Sequence, residues 1–354
     1  MQGIDDIIGP FWILAALAGI VIAAGSVALL WATGGPVRRL PHRGQLALVF
    51  GAWILESLLL LIAFSLIAAP VALSLPAPGD LLAMLPLQAI QTLAVLVALV
   101  ALTLTWRVPG FPTVGLITAG PGARYALRDT AVGLVLGPVA VGVFLVAGLI
   151  GGWDRITGVA PVPEMIGSLV LGVVFFLFVA VFEEVSTRGC LFALLARVLG
   201  IPAAAAISAV TFGLLHGLNP GATPVALLGV GLAGVVFLFA LYRTGALWLP
   251  IAFHLSWDWA ETSLYGYPDS GIPPSAALRL AIDPNAPAWA TGGEFGPEAS
   301  IFVLVALALA AGAIWLYTRG RPGRAILFPA GAPEHQPPYQ PAPLPEQGER
   351  PRYI

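Results

Sequence analysis

Runs of about twenty apolar residues recur along this chain, separated by short polar segments, and they restrict the fold more than any other feature. A helix needs roughly 20 apolar residues to cross the hydrocarbon layer, and in lipid the backbone must satisfy its own hydrogen bonds. Spanning segments are expected at 11–32, 46–69, 81–105, 130–150, 165–182, 224–242, 246–262 and 300–317. Two shorter apolar pieces, 190–199 and 203–215, are separated by Gly200, Ile201 and Pro202, a helix stop followed by a helix start. The expected fold class is therefore all-α: a polytopic transmembrane helix bundle with eight or nine spanning helices. Composition agrees, with 58% hydrophobic and only 10% charged residues among 354, against about 25% charged in soluble domains.

Charge and cysteine usage exclude several classes. The net charge is −2, and no basic patch interleaved with aromatics is present, so no nucleic-acid partner is expected. Cys190 is the only cysteine, which rules out an intrachain disulfide and a cysteine zinc site. The first residues carry Asp5 and Asp6 and lack the basic stretch of a cleaved signal, so none is expected.

Arginine placement orients the bundle. Arg38, Arg39 and Arg43 lie between the first two runs, Arg107, Arg124 and Arg128 follow the third, and Arg319, Arg321 and Arg324 follow the last. By the positive-inside rule this places the N-terminus outside and the C-terminus in the cytoplasm. Three regions are expected: N-terminal helices without a motif over 1–163, a core over 164–320, and a Pro-rich, disordered cytoplasmic tail over 321–354. The segment 263–299 reads as a long loop, and its stretch 291–297 (TGGEFGP) is a candidate to fold back over a pocket.

The chemistry lies in residues that are costly at membrane depth. Glu183 and Glu184 end an apolar run, and Arg188 follows within one helical turn. Glu183 is seventeen residues before Gly200 and His216 sixteen after it. Two antiparallel helical arms of that length return Glu183 and His216 to nearly the same depth. Arg188 could then neutralise one carboxylate and leave the other free as a base. His254 and Asp258 are an i, i+4 pair and share a helix face. Asp258 could orient the imidazole, join it as a metal ligand or donate a hydrogen bond when protonated. A carboxylate with two histidines also suits zinc, giving a candidate ligand set of Glu183, His216, His254 and Asp258. A glutamate base and a metal-activated water are both routes to a nucleophile for amide hydrolysis.

Other residues read as structural. Glu261 sits near a helix end and is expected at the interface. Glu56 reads as a packing or dimer contact, and Cys190 as buried and inert. Trp248, Trp257 and Trp259 suit the interfacial aromatic belt, although Trp257 is also well placed to wall a site.

Three motifs in order carry a family resemblance. Residues 183–188 fit EExxxR, Phe212 to His216 fit FxxxH, and His254 to Asp258 fit HxxxN/D. Together, on apolar segments, they resemble the CPBP family of intramembrane metalloproteases, which includes the type II CAAX prenyl endopeptidases and the bacterial Abi group linked to bacteriocin immunity. The resemblance covers roughly 165–262. It implies that Glu183 and His216 activate water, that His254 and Asp258 bind the oxyanion or complete a metal site, that Arg188 supports the acid pair, and that Phe212 packs beside His216. Asp258 departs from the Asn of the eukaryotic enzymes. An ionised Asp is a poor oxyanion donor, which favours metal ligation or orientation of His254.

The expected function is an intramembrane endopeptidase, with or without zinc. It would be a multi-pass protein of a bacterial inner (plasma) membrane, acting on a peptide or membrane-protein substrate within the lipid bilayer. The alternatives are a non-catalytic bacteriocin-immunity or membrane binding protein, and a proton-coupled transporter.

Overall fold

The computed structural model describes residue 51, residues 81–106, residue 116 and residues 123–321. The expected spans 11–32 and 46–69, Glu56 and the tail beyond residue 321 lie outside them. Nine helices are described: α1 (Leu81–Trp106), α2 (Ala123–Gly151), α3 (Val162–Glu184), α4 (Ala193–Leu199), α5 (Ile201–Leu215), α6 (Pro224–Thr244), α7 (Trp248–Trp259), α8 (Ala288–Thr291) and α9 (Phe302–Tyr317). Four helical runs are long and apolar enough to cross a bilayer: Tyr125–Gly151, Val162–Phe192, Ile201–Leu218 and Pro224–Thr244. Leu81–Val97 and Phe302–Tyr317 are shorter apolar helices. The described residues thus give a predominantly helical, multi-pass membrane protein, with fewer candidate spans than the eight or nine expected.

Local sequence sets the ends of these helices. Thr223 caps α6 by accepting from the Ala226 amide at 3.1 Å, Pro224 opens the helix, and Gly245 closes it in the left-handed conformation at φ 73°. Gly200, at φ 85°, makes the turn from α4 to α5, as its sequence context predicted.

The arm from Glu183 to Gly200 is helical, as its spacing argument required. The helix runs without interruption from α3 through a π-helical stretch, Val185–Phe192, into α4. Two hydroxyls bond back onto the widened turn, Ser186 to the Phe182 carbonyl and Thr187 to that of Glu183, both at 2.6 Å. Such π-helical insertions recur at functional sites. A second one, Ala260–Tyr265, ends α7.

At the centre of the bundle is α7, with every residue from Leu249 to Asp258 buried. It packs against α2, α3 and α6. Gly133 and Gly137 of α2 allow the closest approach: a Cβ at Gly137 would overlap the Ser256 hydroxyl and backbone. Small residues let helix backbones approach in this way where lipid supplies no hydrophobic drive between helices. The Ser256 hydroxyl then donates to the Gly133 carbonyl at 2.8 Å.

The segment 263–299 is more ordered than a plain loop. It contains a strand, β2 (Leu278–Ile282), paired antiparallel with β1 (Asp154–Val159), so the fold is helical with a small two-stranded sheet. The helix-only constraint belongs to lipid, and these strands lie outside the candidate spans. A two-stranded ribbon is marginal alone. Here Trp153 packs on Trp289, with centroids 5.7 Å apart, and the Tyr267 hydroxyl donates to Asp154. Burial raises the Asp154 carboxyl above its ordinary value, an effect only partly offset by that hydrogen bond.

Candidate active site

The hairpin of α3 and α5 brings the two glutamates to the first histidine, and α7 contributes the second. Glu183 Oε2 lies 4.0 Å from His216 Nε2 and 3.7 Å from His254 Nε2. His254 Nε2 is also 3.5 Å from Asp258 Oδ2. The sequence arithmetic about Gly200 therefore places Glu183 and His216 correctly, and the two imidazoles meet the same carboxylate oxygen.

Each imidazole is held through its other nitrogen. His216 Nδ1 lies 2.9 Å from the Phe212 carbonyl, which can only accept, so Nδ1 carries a proton there. His254 Nδ1 lies 3.0 Å from Glu184 Oε1 and donates to it. Both Nε2 atoms are thus turned towards Glu183 and are free for chemistry. Glu183 Oε2 is buried and has no hydrogen-bond partner.

Glu184 differs from Glu183 in burial and in role. It is fully buried, and its Oε1 takes both His254 and Arg188, whose Nη1 lies 2.9 Å away. The sequence allowed Asp258 as the residue that orients His254, but Glu184 is the closer partner, on the opposite ring nitrogen. Arg188 is itself buried, with its guanidinium over the Phe212 ring at 4.1 Å and the Phe237 ring at 5.3 Å.

Phe237 of α6 is a site residue that sequence reading missed. Its ring stacks on His254 at 4.7 Å with an interplanar angle of 21°. Nothing distinguishes it in sequence from the apolar residues around it. Phe212, which the motif did mark, meets His216 edge-on at 5.0 Å.

These groups open into a cavity of about 720 Å³. Glu183, His216, His254, Asp258 and Trp257 line its polar end, and Met84, Phe175 and Val179 an apolar side. The residues 268–274 and Glu294 form another wall, so the stretch 291–297 does fold back onto the pocket. Trp257 is buried as a site wall and packs edge-on against Phe144 and Phe253, not in an interfacial belt. Trp259 is half-buried and donates to the Leu169 carbonyl at 3.0 Å. Cys190 is buried, as expected.

Glu261 corrects another expectation. It is fully buried instead of interfacial, because the π-helical end of α7 turns it under the 263–299 segment. Asp269 and Glu298, from that segment, are buried beside it, and the three form one acidic group. Burial and the neighbouring Glu298 charge raise the Asp269 carboxyl well above its ordinary value, with the Glu261 hydrogen bond working against the shift. Glu298 is raised by burial, with the Ser270 hydroxyl working against the shift.

A zinc ion held by Glu183, His216, His254 and Asp258 would bring its donor atoms to roughly 3.3–3.5 Å of one another, from bonds near 2.0–2.1 Å at tetrahedral angles. Only the His254–Asp258 separation of 3.5 Å meets this, while those from Glu183 are 3.7 and 4.0 Å. Nor do these residues form a group whose ligand atoms all lie within 4.8 Å of one another. The donor types suit zinc, but the arrangement is too open for a closed zinc sphere.

Comparison with known proteins bears on this same part of the chain. Residues 165–260, which carry all three motifs, match the family described as type II CAAX prenyl endopeptidase Rce1-like. No curated protein and no solved structure matches the chain. With four apolar helices long enough to cross a bilayer among the described residues, the chain is a multi-pass membrane protein, and its residues 165–260 are similar to the type II CAAX prenyl endopeptidase Rce1-like family.

Proposed function

We propose that this protein is an intramembrane endopeptidase that hydrolyses a peptide bond in the cavity at Glu183, using a base and two imidazoles. One observation carries the reading. Glu183 Oε2, buried and without a hydrogen-bond partner, faces Nε2 of both His216 and His254, and each ring is tied back through Nδ1.

In this reading a water between Glu183 Oε2 and His216 Nε2 gives its proton to Glu183 as its oxygen attacks the scissile carbonyl carbon. Contacts of 3.7–4.0 Å suit groups that share a bridging water. The C=O π bond opens to an oxyanion, which accepts a hydrogen bond from His254 when Nε2 carries a proton. Glu184 and Arg188 hold that ring in place. Collapse of the intermediate breaks the C–N bond, and Glu183 delivers the proton to the leaving amine. Asp258, 3.5 Å from His254 Nε2, steadies the imidazolium. No step passes through a metal. The apolar side of the cavity suits a lipid-embedded or lipidated peptide or a membrane-protein segment.

General acid–base catalysis contributes about 10²–10⁴-fold, and one oxyanion donor about 10²–10³-fold. Purified Glu183→Gln, His216→Ala and His254→Ala variants should each lose at least about a hundredfold in cleavage of a panel of prenylated and unmodified membrane peptides. Full cleavage by a folded, inserted Glu183→Gln variant would refute the assignment. Proton-driven uptake that survives the substitution would favour a transporter.

A further inference from the structure

Beside the histidine site, three carboxylates meet for which the proposed hydrolysis has no use. Glu261 comes from the π-helical end of α7, Asp269 from the turn after it, and Glu298 from the 3₁₀ turn before α9. All three are buried, and one ligand oxygen from each lies within 4.8 Å of the other two. Among the described residues, no Arg or His forms an ion pair with any of them.

A second observation points to a ligand. Both carboxylate oxygens of Glu261 are shut off from solvent and receive no donor from an amide, hydroxyl, Arg or His, and the side chain meets the Asp269 carboxyl of the same cluster. A buried carboxylate that receives no donor from outside its own acidic cluster is strongly disfavoured. Three converging carboxylates compound that cost unless a cation or shared protons offset it.

We propose that Glu261, Asp269 and Glu298 form a site for a hard divalent cation of the size of Ca²⁺. The donors are all carboxylate oxygens, with no thiolate or imidazole, which favours Ca²⁺, Mg²⁺ or Mn²⁺ over zinc. For three atoms within 4.8 Å of one another there is a point no more than about 2.8 Å from each, close to the Ca²⁺–oxygen range of about 2.3–2.6 Å. Mg²⁺, at about 2.0–2.1 Å, would require a larger contraction of the backbone.

The ligands are placed to be tied together. The Glu261 carbonyl accepts from the amides of Gly266 and Tyr267, which turns the chain back towards Asp269. Asp269 pairs with Ile272 in an isolated bridge, and Ser270 donates to Glu298 Oε2. Asp269 and Glu298 also line the cavity, which gives a cation its route in. Once bound, the ion fastens the 263–299 segment to the end of α7 and neutralises the cavity wall near Asp258. This site does not depend on the hydrolytic reading.

The test uses the full-length protein in detergent, stripped with chelator and titrated calorimetrically with Ca²⁺ or Mg²⁺, with thermal unfolding as a second readout. One Ca²⁺ per chain is expected, with an unfolding temperature that rises with Ca²⁺ and Mg²⁺ binding at least tenfold weaker. Glu261→Gln, Asp269→Asn and Glu298→Gln keep side-chain shape, and each should weaken Ca²⁺ binding by at least about a hundredfold, since affinity follows ligand charge. Glu183→Gln should leave it unchanged. Three results overturn the proposal. One is the absence of saturable uptake at millimolar Ca²⁺ by folded wild-type protein, whatever the variants do. Another is uptake lost in Glu183→Gln but kept in the three variants, which assigns the ion to the histidine site. The third is Gln variants that stabilise the protein while wild type takes up no ion, which means the carboxyls share protons.

Discussion

Substitution of Glu184 by Gln isolates the buried charge network beneath His254. The side chain keeps its shape and loses its charge. Arg188, 1% exposed, then has no carboxylate within ion-pair distance among the described residues, since its 2.9 Å partner is gone. Its Nε and Nη2 have no hydrogen-bond partner already. The rings of Phe212 and Phe237 add cation–π attraction of up to about 2 kcal/mol but supply no counter-charge. Removal of one member of a buried pair costs about 3–5 kcal/mol, and that is the loss expected for Glu184→Gln. Arg188→Met in the same protein removes the orphaned charge. Apolar replacement of a buried pair is commonly neutral or stabilising by about 1–4 kcal/mol. The double variant should therefore regain most of the stability, with a coupling of at least about 2 kcal/mol between the sites. Unfolding in mixed micelles by added SDS, followed by tryptophan fluorescence, measures both. Cleavage activity should stay low in the double variant, because His254 Nδ1 has lost its carboxylate. A loss under about 1 kcal/mol for Glu184→Gln, or a double variant equal to the sum of the singles, would refute this account.

Gly137→Ala should lower stability by about 3 kcal/mol or more, because the new Cβ meets the α7 backbone, which cannot swing aside as a side chain can. Gly142→Ala is the control on the same helix: its Cβ would lie 3.6 Å from the Tyr265 hydroxyl, so thermal unfolding should be unchanged or slightly raised. Phe237→Leu keeps an apolar side chain but loses the stack on His254, worth about 0.5–1.5 kcal/mol, so kcat should fall about 2–10-fold with KM little changed. The Asp154 carboxyl binds its proton more tightly in the folded state than at its unperturbed value of 3.8, so its contribution to stability declines as pH rises from there through the folded value. Asp154→Asn should make unfolding stability less dependent on pH across that window, and an unchanged slope would count against the assignment.

Much of the candidate site was legible because it obeys local rules. Charged residues in apolar runs are costly enough to mark themselves, and a helical rise converts the spacings about Gly200 into depth. Those two arguments anticipated the meeting of Glu183 with His216, observed at 4.0 Å. The partner of Arg188 followed from one helical turn, although spacing alone could not say which glutamate it takes. Phe237 was invisible, since an aromatic residue in an apolar helix has the same signature whether it faces lipid or an imidazole. Glu261 was misread because position near a helix end does not reveal whether a later segment covers it.

The amino-acid sequence on its own determined that the chain is a helical membrane protein, where its motif-bearing segments lie, and which polar side chains could do chemistry. These follow from short-range causes: the transfer cost of polar groups in lipid, backbone self-satisfaction and the periodicity of one helix. The tertiary structure alone decided that Glu184 holds His254, that 278–282 pairs as a strand with 154–159, and that Glu261, Asp269 and Glu298 share one buried place. Each of these depends on contacts between segments far apart in the chain, and their energies arise only when packing excludes water and lipid from both partners at once.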